Sequence, residues 1–195
     1  MNHPAWDAAF YDRFANGPEF RSTLLTCHII LNSLAFVLML VQLYRPGYGA
    51  TRRTHVLIGR VTFLFLTISL ICAVWLASEH GSLAEYGGRL SQYGFYSMAT
   101  FVYGCAIMGA LTARAKKPAA HRIWMLRFMG AMWGSFWLFR VVLFVIDPFL
   151  REVQAAAILI VNWGSAPAGI LIADLIRRRI IRPTSTTASL ATAAE

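Results

Sequence analysis

With 195 residues, 57% hydrophobic and only 14% charged side chains, and a mean hydropathy of +0.55, the chain has more apolar surface than a water-soluble domain of this size could hide. A net charge of +9 invites a nucleic-acid reading, but that needs a clustered basic face on a soluble fold with groove-reading or stacking elements, and none is present. The expected solvent is a lipid bilayer, and the expected fold is an all-α integral membrane bundle.

In chain order, residues 1–21 form an N-terminal segment with acids and Pro where a signal peptide would have a basic start and an apolar run. Trp6, Phe10 and Phe14 are spaced by four, so a short interfacial helix competes here with a frayed polar terminus. Residues 22–177 read as a five-helix membrane domain, because five stretches come close to the roughly 20 apolar residues that a span requires. They lie at about 22–44, 55–77, 93–113, 121–146 and 154–176. Arg45-Pro46-Gly47-Tyr48-Gly49 has the Pro and Gly that turn the chain after the first span, and the other connections are also short, so successive spans are expected antiparallel. Residues 178–195 read as a basic, then low-complexity and disordered, tail on the cytoplasmic side.

Thirteen of the eighteen Lys and Arg residues fall on one side of this layout, and Arg13, Arg21, Arg89, Arg140 and Arg151 on the other. The positive-inside rule then places the N-terminus outside and the C-terminus inside, with a bacterial inner membrane as the expected location. Cys27, Cys72 and Cys105 all sit within spans, which speaks for packing and against an extracellular disulfide framework.

An ionisable side chain within a span costs about 2.5–3.5 kcal/mol on insertion scales, so such residues belong to the bundle interior or to a site. His28, Asn32, Met39 and Gln42 form a polar stripe along the first span. Tyr96, Thr100 and Tyr103 place hydroxyls on one face of the third, with Tyr103 expected to meet a group on the inner side. His55 and His121 open the second and fourth spans, each followed by an arginine on the same helix, Arg60 and Arg127; Arg140 lies near the far end of the fourth. Histidines thus fall in two layers, His28 with His80 as a candidate partner, and His55 with His121. Asn162, Ser165 and Pro167 interrupt the fifth span, where Gly164 and Gly169 would admit a close helix neighbour and Asp174 could pair with Arg177 or Arg178.

Two imidazoles facing each other across helices suit axial ligation of a haem iron, and nearby arginines suit its propionates. The candidate cofactor-binding set is therefore His28, His55, His121, Arg60, Arg127 and Arg140, with His55 and His121 as the metal ligands and haem b as the cofactor. Against it stand ordinary roles: interfacial histidines, arginines that snorkel to headgroups, and an Arg140–Asp147 pair. No His-Glu-x-x-His, Cys-x-x-Cys, Gly-x-Ser-x-Gly or phosphate-cradling glycine loop is present, so catalytic residues are not assigned.

The string His121-Arg122-Ile123-Trp124-Met125-Leu126-Arg127, with Arg140 thirteen residues later, resembles the signature of a predicted membrane protein family, domain of unknown function 2306. His55 followed by Gly59-Arg60, and His28 with Gln42, agree with the same family over about residues 24–145. The resemblance marks His28, His55, Gly59, Arg60, His121, Arg122, Trp124, Met125, Arg127 and Arg140 as family-pattern positions; Phe128-Met129-Gly130 departs from it. It implies fold and membership but supplies no activity. The layered histidines resemble those of small membrane b-type cytochromes in architecture. Three functions remain open: a haem-b redox protein with a quinone or other redox partner, a small solute or proton-coupled transporter lined by His28, Asn32, Gln42, Arg127 and Arg140, and a structural or assembly protein. In each case the lipid bilayer is a partner and nucleic acid is not.

Overall fold

A computed structural model of the chain describes residues 19–44, 52–80, 88–138, 141 and 154–181. They form five helices: α1 Glu19–Tyr44, α2 Arg52–His80, α3 Gly88–Arg114, α4 Pro118–Trp133 and α5 Gln154–Ile181. α4 continues into one π-helical stretch, Gly134–Leu138. No strand occurs among the described residues. Four stretches, Glu19–Leu43, Arg52–Glu79, Gly88–Arg114 and Ile158–Arg179, are long and apolar enough to cross a membrane. α4 is the fifth helix, so the all-α membrane bundle expected from the sequence is what forms. The expected interfacial helix at Trp6, Phe10 and Phe14, the turn at residues 45–49, Asp147 and the Ser/Thr-rich tail lie outside the described residues.

The helix ends follow from local chemistry. Glu19 places a carboxylate at the positive end of α1, where the Ser22 and Thr23 hydroxyls donate back to its carbonyl at 2.8 and 2.9 Å. α3 closes through Lys116, whose φ of 56° is left-handed, with Lys117 N donating to Thr112 O at 3.0 Å. Pro118 then stands in the first turn of α4, where no backbone N–H is missed. A three-residue turn thus makes α3 and α4 a tight antiparallel hairpin. On the α2–α3 side, the Gln92 amide donates to the last carbonyls of α2, Ala77 O at 3.1 Å and Ser78 O at 3.0 Å.

Packing divides the bundle into an α1–α2 hairpin and a mutually packed α3–α4–α5 trio, joined by a smaller α2–α3 interface; α1 meets α4 only narrowly. α5 packs on the rest, as expected, and does so through α3 and α4. The outside is lined with Ile30, Val37, Leu57, Leu64, Ile71, Ile160 and Leu171, all of them exposed. In water such a surface would drive association, whereas in lipid it is already solvated. The interior instead holds small and hydroxylic residues, including Ala35, Ala106, Ala131, Ala166, Ser69, Ser91, Asn162 and Ser165. Helices in lipid gain nothing hydrophobic by meeting, so close packing and interhelical hydrogen bonds must hold them together. Asn162 Nδ2 donates to Ser91 Oγ at 2.5 Å, and Trp163 Nε1 to Leu90 O at 3.0 Å, tying α5 to α3. Cys72 and Cys105 are buried and Cys27 is partly so, all as free thiols.

The tightest contact joins α4 to α5. A Cβ on Gly130 would strike Gly169 O, one on Gly134 would strike Ser165 O, and one on Gly169 would strike Gly130 O. Each helix contributes small residues four apart, Gly130 and Gly134 against Ser165, Gly169 and Ala173, so the two backbones touch directly. The sequence expectation held for Gly169 but not for Gly164, around which nothing lies within 4 Å. Because the obstructing atoms are backbone, Gly134→Ala and Gly169→Ala should each destabilise the detergent-purified protein by about 1–3 kcal/mol. Gly164→Ala should be neutral or stabilising by up to about 1 kcal/mol through helix propensity. Thermal melts of the three variants check both.

Candidate functional site

The turn between α3 and α4 sets the first of two polar centres. It brings His121, one turn into α4, against Gly109 of α3, and His121 Nδ1 lies 2.8 Å from Gly109 O. A carbonyl only accepts, so Nδ1 carries the proton and Nε2 is the basic nitrogen. Gly109 permits this approach, since a Cβ there would lie 2.8 Å from Met125 Sδ. His55, in the first turn of α2, stands opposite: the two imidazole centroids are 6.3 Å apart and their planes are at 87°. The two rings therefore converge from α2 and α4, which are not sequence neighbours. Gln42 of α1 reaches the same level, its amide nitrogen 3.6 Å from where a Gly59 Cβ would be.

Arg60 and Arg122, both exposed, make no hydrogen bond or ion pair among the described residues. Arg127 differs. Its Nε donates to Asp174 Oδ1 at 3.2 Å and its Nη2 to Oδ2 at 2.8 Å, a two-pronged pair with α5, and its guanidinium lies 4.9 Å from the Trp124 ring centre. Arg177 Nε is a second cation 3.6 Å from Asp174 Oδ1. The expected Asp174–Arg177 pairing is thus present, with Arg127 as the stronger partner. Sequence reading missed that partnership because the two residues are 47 apart; a lone acid and a lone arginine on adjoining spans was the available signal.

The second centre lies at the opposite end of the four-helix part. His28 Nδ1 is 2.9 Å from Ser69 Oγ and 3.1 Å from Ser69 O, while Ser69 Oγ is 3.2 Å from His28 O. With the serine hydroxyl donating to His28 O, Nδ1–H donates toward Ser69, and Nε2 is again the basic nitrogen. Ser69 is fully buried, so this link locks α1 to α2 in the interior of the bundle. Beside it lies a cavity of about 430 Å³ between α1, α2, α3 and the π-helical turn, lined by His28, Asn32, Ser69, Tyr96, Ser135 and apolar side chains. Tyr103, expected to reach an inner-side group, instead joins Thr67 at 3.0 Å. Thr67 already donates to Phe63 O at 2.7 Å, so the tyrosine is the donor.

The six sequence candidates therefore separate. His55 and His121 meet; Arg60 is exposed one turn beyond His55; Arg127 is held by Asp174; His28 belongs to the other centre; Arg140 lies outside the described residues, as does the His80 side chain. Among the described residues no three His, Cys, Asp or Glu side chains converge as a protein-only metal site.

An all-helical, multi-pass membrane protein with polar groups gathered at two levels of its interior is the class that this arrangement defines. The chain belongs to the family described as Predicted membrane protein (DUF2306), whose model matches residues 25–177 and so reaches through α5, beyond the 24–145 of the sequence resemblance. No curated protein and no solved structure matches the chain.

The Arg127–Asp174 pair is partly exposed, at 29% and 17% of the side-chain surface, so its value should fall between exposed and buried ion pairs. Arg127→Gln or Asp174→Asn alone should cost roughly 1–3 kcal/mol, and the double variant less than the two together. Arg127→Lys should recover only part of the loss, because a single ammonium cannot make the two-pronged contact. A double-mutant cycle of detergent melts measures all three.

Proposed function

We propose that the chain is a haem-b-binding redox protein of a bacterial inner membrane, with His55 and His121 as axial ligands. The observation that carries this is the histidine pair itself. The two imidazoles, their centres 6.3 Å apart, come from helices that are not sequence neighbours, and they are the residues that would hold the haem iron. Two imidazoles are a poor complete site for a bare ion; they suffice for a metal that brings four in-plane ligands of its own, which is what a porphyrin does. Bound haem would supply one-electron transfer.

The remaining roles fall to the chain's own groups. Gly109 O, by accepting from His121 Nδ1–H, presents Nε2 as the ligand nitrogen and keeps the ring from rotating, the usual second partner of a metal-binding histidine. Thr112 Oγ1 lies 3.0 Å from the same carbonyl and helps to fix it. Arg60 and Arg122 are the cations available to propionates, whereas Arg127 is committed to Asp174. Gln42 and Met125, flexible side chains beside Gly59 and Gly109, are the groups that would adjust around a macrocycle.

The test is a pyridine haemochrome assay with a reduced-minus-oxidised spectrum of protein purified from cells supplied with a haem precursor. A stoichiometric b-type signal is expected in the wild type and should be lost in His55→Ala and His121→Ala, but retained in Arg127→Gln. A colourless, monodisperse protein would overturn the reading and leave the transporter or the assembly role.

Orientation follows from charge. The thirteen-to-five division of Lys and Arg supports an inside C-terminus and an outside N-terminus, with the His55–His121 centre toward the cytoplasm. A C-terminal green fluorescent protein fusion should fluoresce and a C-terminal alkaline phosphatase fusion should be inactive; the reverse pattern would invert the topology.

A further inference from the structure

The cavity beside His28 is a second site, and we infer that it binds a neutral, lipid-soluble quinone or hydroquinone. Its volume, about 430 Å³, falls in the range of sites for small organic ligands, roughly 300–1,000 Å³. Among the described residues no Lys, Arg, Asp or Glu lines it, which favours a neutral ligand over ionised solutes and phospholipid headgroups. What lines it is an apolar wall with a few polar groups on different helices. Asn32 brings a whole side-chain amide to the cavity and makes no hydrogen bond among the described residues. An amide in that position within a membrane bundle loses free energy until something bonds to it. Tyr96 OH accepts from Gln92 Nε2 at 3.3 Å and keeps its own proton to donate. Asn32 and Tyr96 sit on α1 and α3, so one ligand could be held from two sides.

The aromatic part of the lining selects for a ring. Phe95, Tyr96 and Phe136 all border the cavity, and Phe136 is held by stacking on Phe36 at 5.7 Å and 9°. Phe136 and Ser135 reach it because the chain is π-helical over Gly134–Leu138, a local widening that often marks functional sites. The cavity is also partly open, and among the described residues α1 meets α4 only narrowly. A flat ring with carbonyl or hydroxyl groups and an apolar tail satisfies each of these features. A fatty alcohol satisfies the polar group but not the aromatic lining, and a carboxylate satisfies neither the charge nor the ring.

This inference stands apart from haem binding: the cavity is formed by other residues at the other end of the bundle. The experiment is equilibrium binding of a short-tailed benzoquinone to the detergent-purified full chain, read by quenching of intrinsic fluorescence, with decanol and a short-chain phosphatidylglycerol as comparison ligands. Saturable one-to-one binding of the quinone is expected, weakened by about tenfold in Asn32→Leu, which removes the hydrogen-bonding group while keeping the volume. Ala99→Phe, which fills the cavity from α3, should abolish it. Should Ala99→Phe fail to fold, Asn32→Leu decides, since it buries no new polar atom and should melt at or above the wild-type temperature. Unchanged quinone affinity in Asn32→Leu would overturn the inference, as would equal or tighter binding of decanol or the phospholipid. A haemochrome measurement on the same samples separates the two readings: quinone binding by colourless protein retains this site while rejecting the haem, and haem without quinone binding does the converse.

Discussion

The rest of the structure depends on the direct backbone contact between α4 and α5. Gly130 and Gly134 meet Ser165 and Gly169 with no side chain between the two chains. In a bilayer this is where cohesion must come from, because lipid tails solvate leucine as well as another helix does, and only close approach yields dispersion contacts that lipid cannot match. Three consequences follow along α4. Arg127, three residues before Gly130, faces Asp174, five residues after Gly169, so the ion pair reinforces the same seam. Gly134, where the approach is closest to Ser165, is also the first residue of the π-helical turn that directs Ser135 and Phe136 into the cavity. At its other end, α4 presents His121 to Gly109 and toward His55. α4 therefore contributes to both centres, His121 at the first and Ser135 and Phe136 at the cavity of the second.

Polar groups inside the bundle obey the same economy. Thr62, Thr67, Thr100 and Thr112 each return their hydroxyl to a carbonyl four residues back, so they bring no unsatisfied donor into lipid. Ser69 and Asn162, both fully buried, bond across helices instead and act as pins between α1 and α2 and between α3 and α5. Among the described residues Asn162 Oδ1 and Ser165 Oγ lack a partner; Asn162 lies against α3, and Ser165 lies in the α4–α5 seam against Gly134. Asn32 is different in kind: it faces a space, not a neighbour.

How much was legible in the sequence depended on the range of the interaction. The places of the four long apolar helices followed from hydropathy, since a span is a local property, whereas α4, expected over about 121–146, is described only as Pro118–Trp133 with a π-helical continuation to Leu138. The meeting of His55 with His121 was foreseeable from topology: even-numbered spans run the same way, so residues at their starts share a level. Pairings across helices were not foreseeable. Asp174 was matched with Arg177 or Arg178, three and four residues away, because no periodicity states which face of α4 turns toward α5. The glycine seam could have been read, as Gly130 and Gly134 are four apart and so are Ser165 and Gly169. Of the two glycines expected to admit a close neighbour, Gly169 does so and Gly164 touches nothing, because a lone glycine in a span cannot be told from a packing one until its partner helix is known.

The two centres differ in the way their depth requires. His55 and His121 stand at helix starts, within one turn of Arg52, Arg53 and Arg122, where positive charge is already concentrated and an anionic group on a ligand finds partners without entering lipid. Among the described residues the His28 centre has no charged neighbour in its cavity, and its polarity there comes from an imidazole, an amide and hydroxyls. The two centres therefore differ in what they ask of any ligand: an anionic group gains from the arginines at the helix starts, whereas beside His28 the described groups reward a neutral molecule that can hydrogen-bond, because a buried charge without a partner is costly.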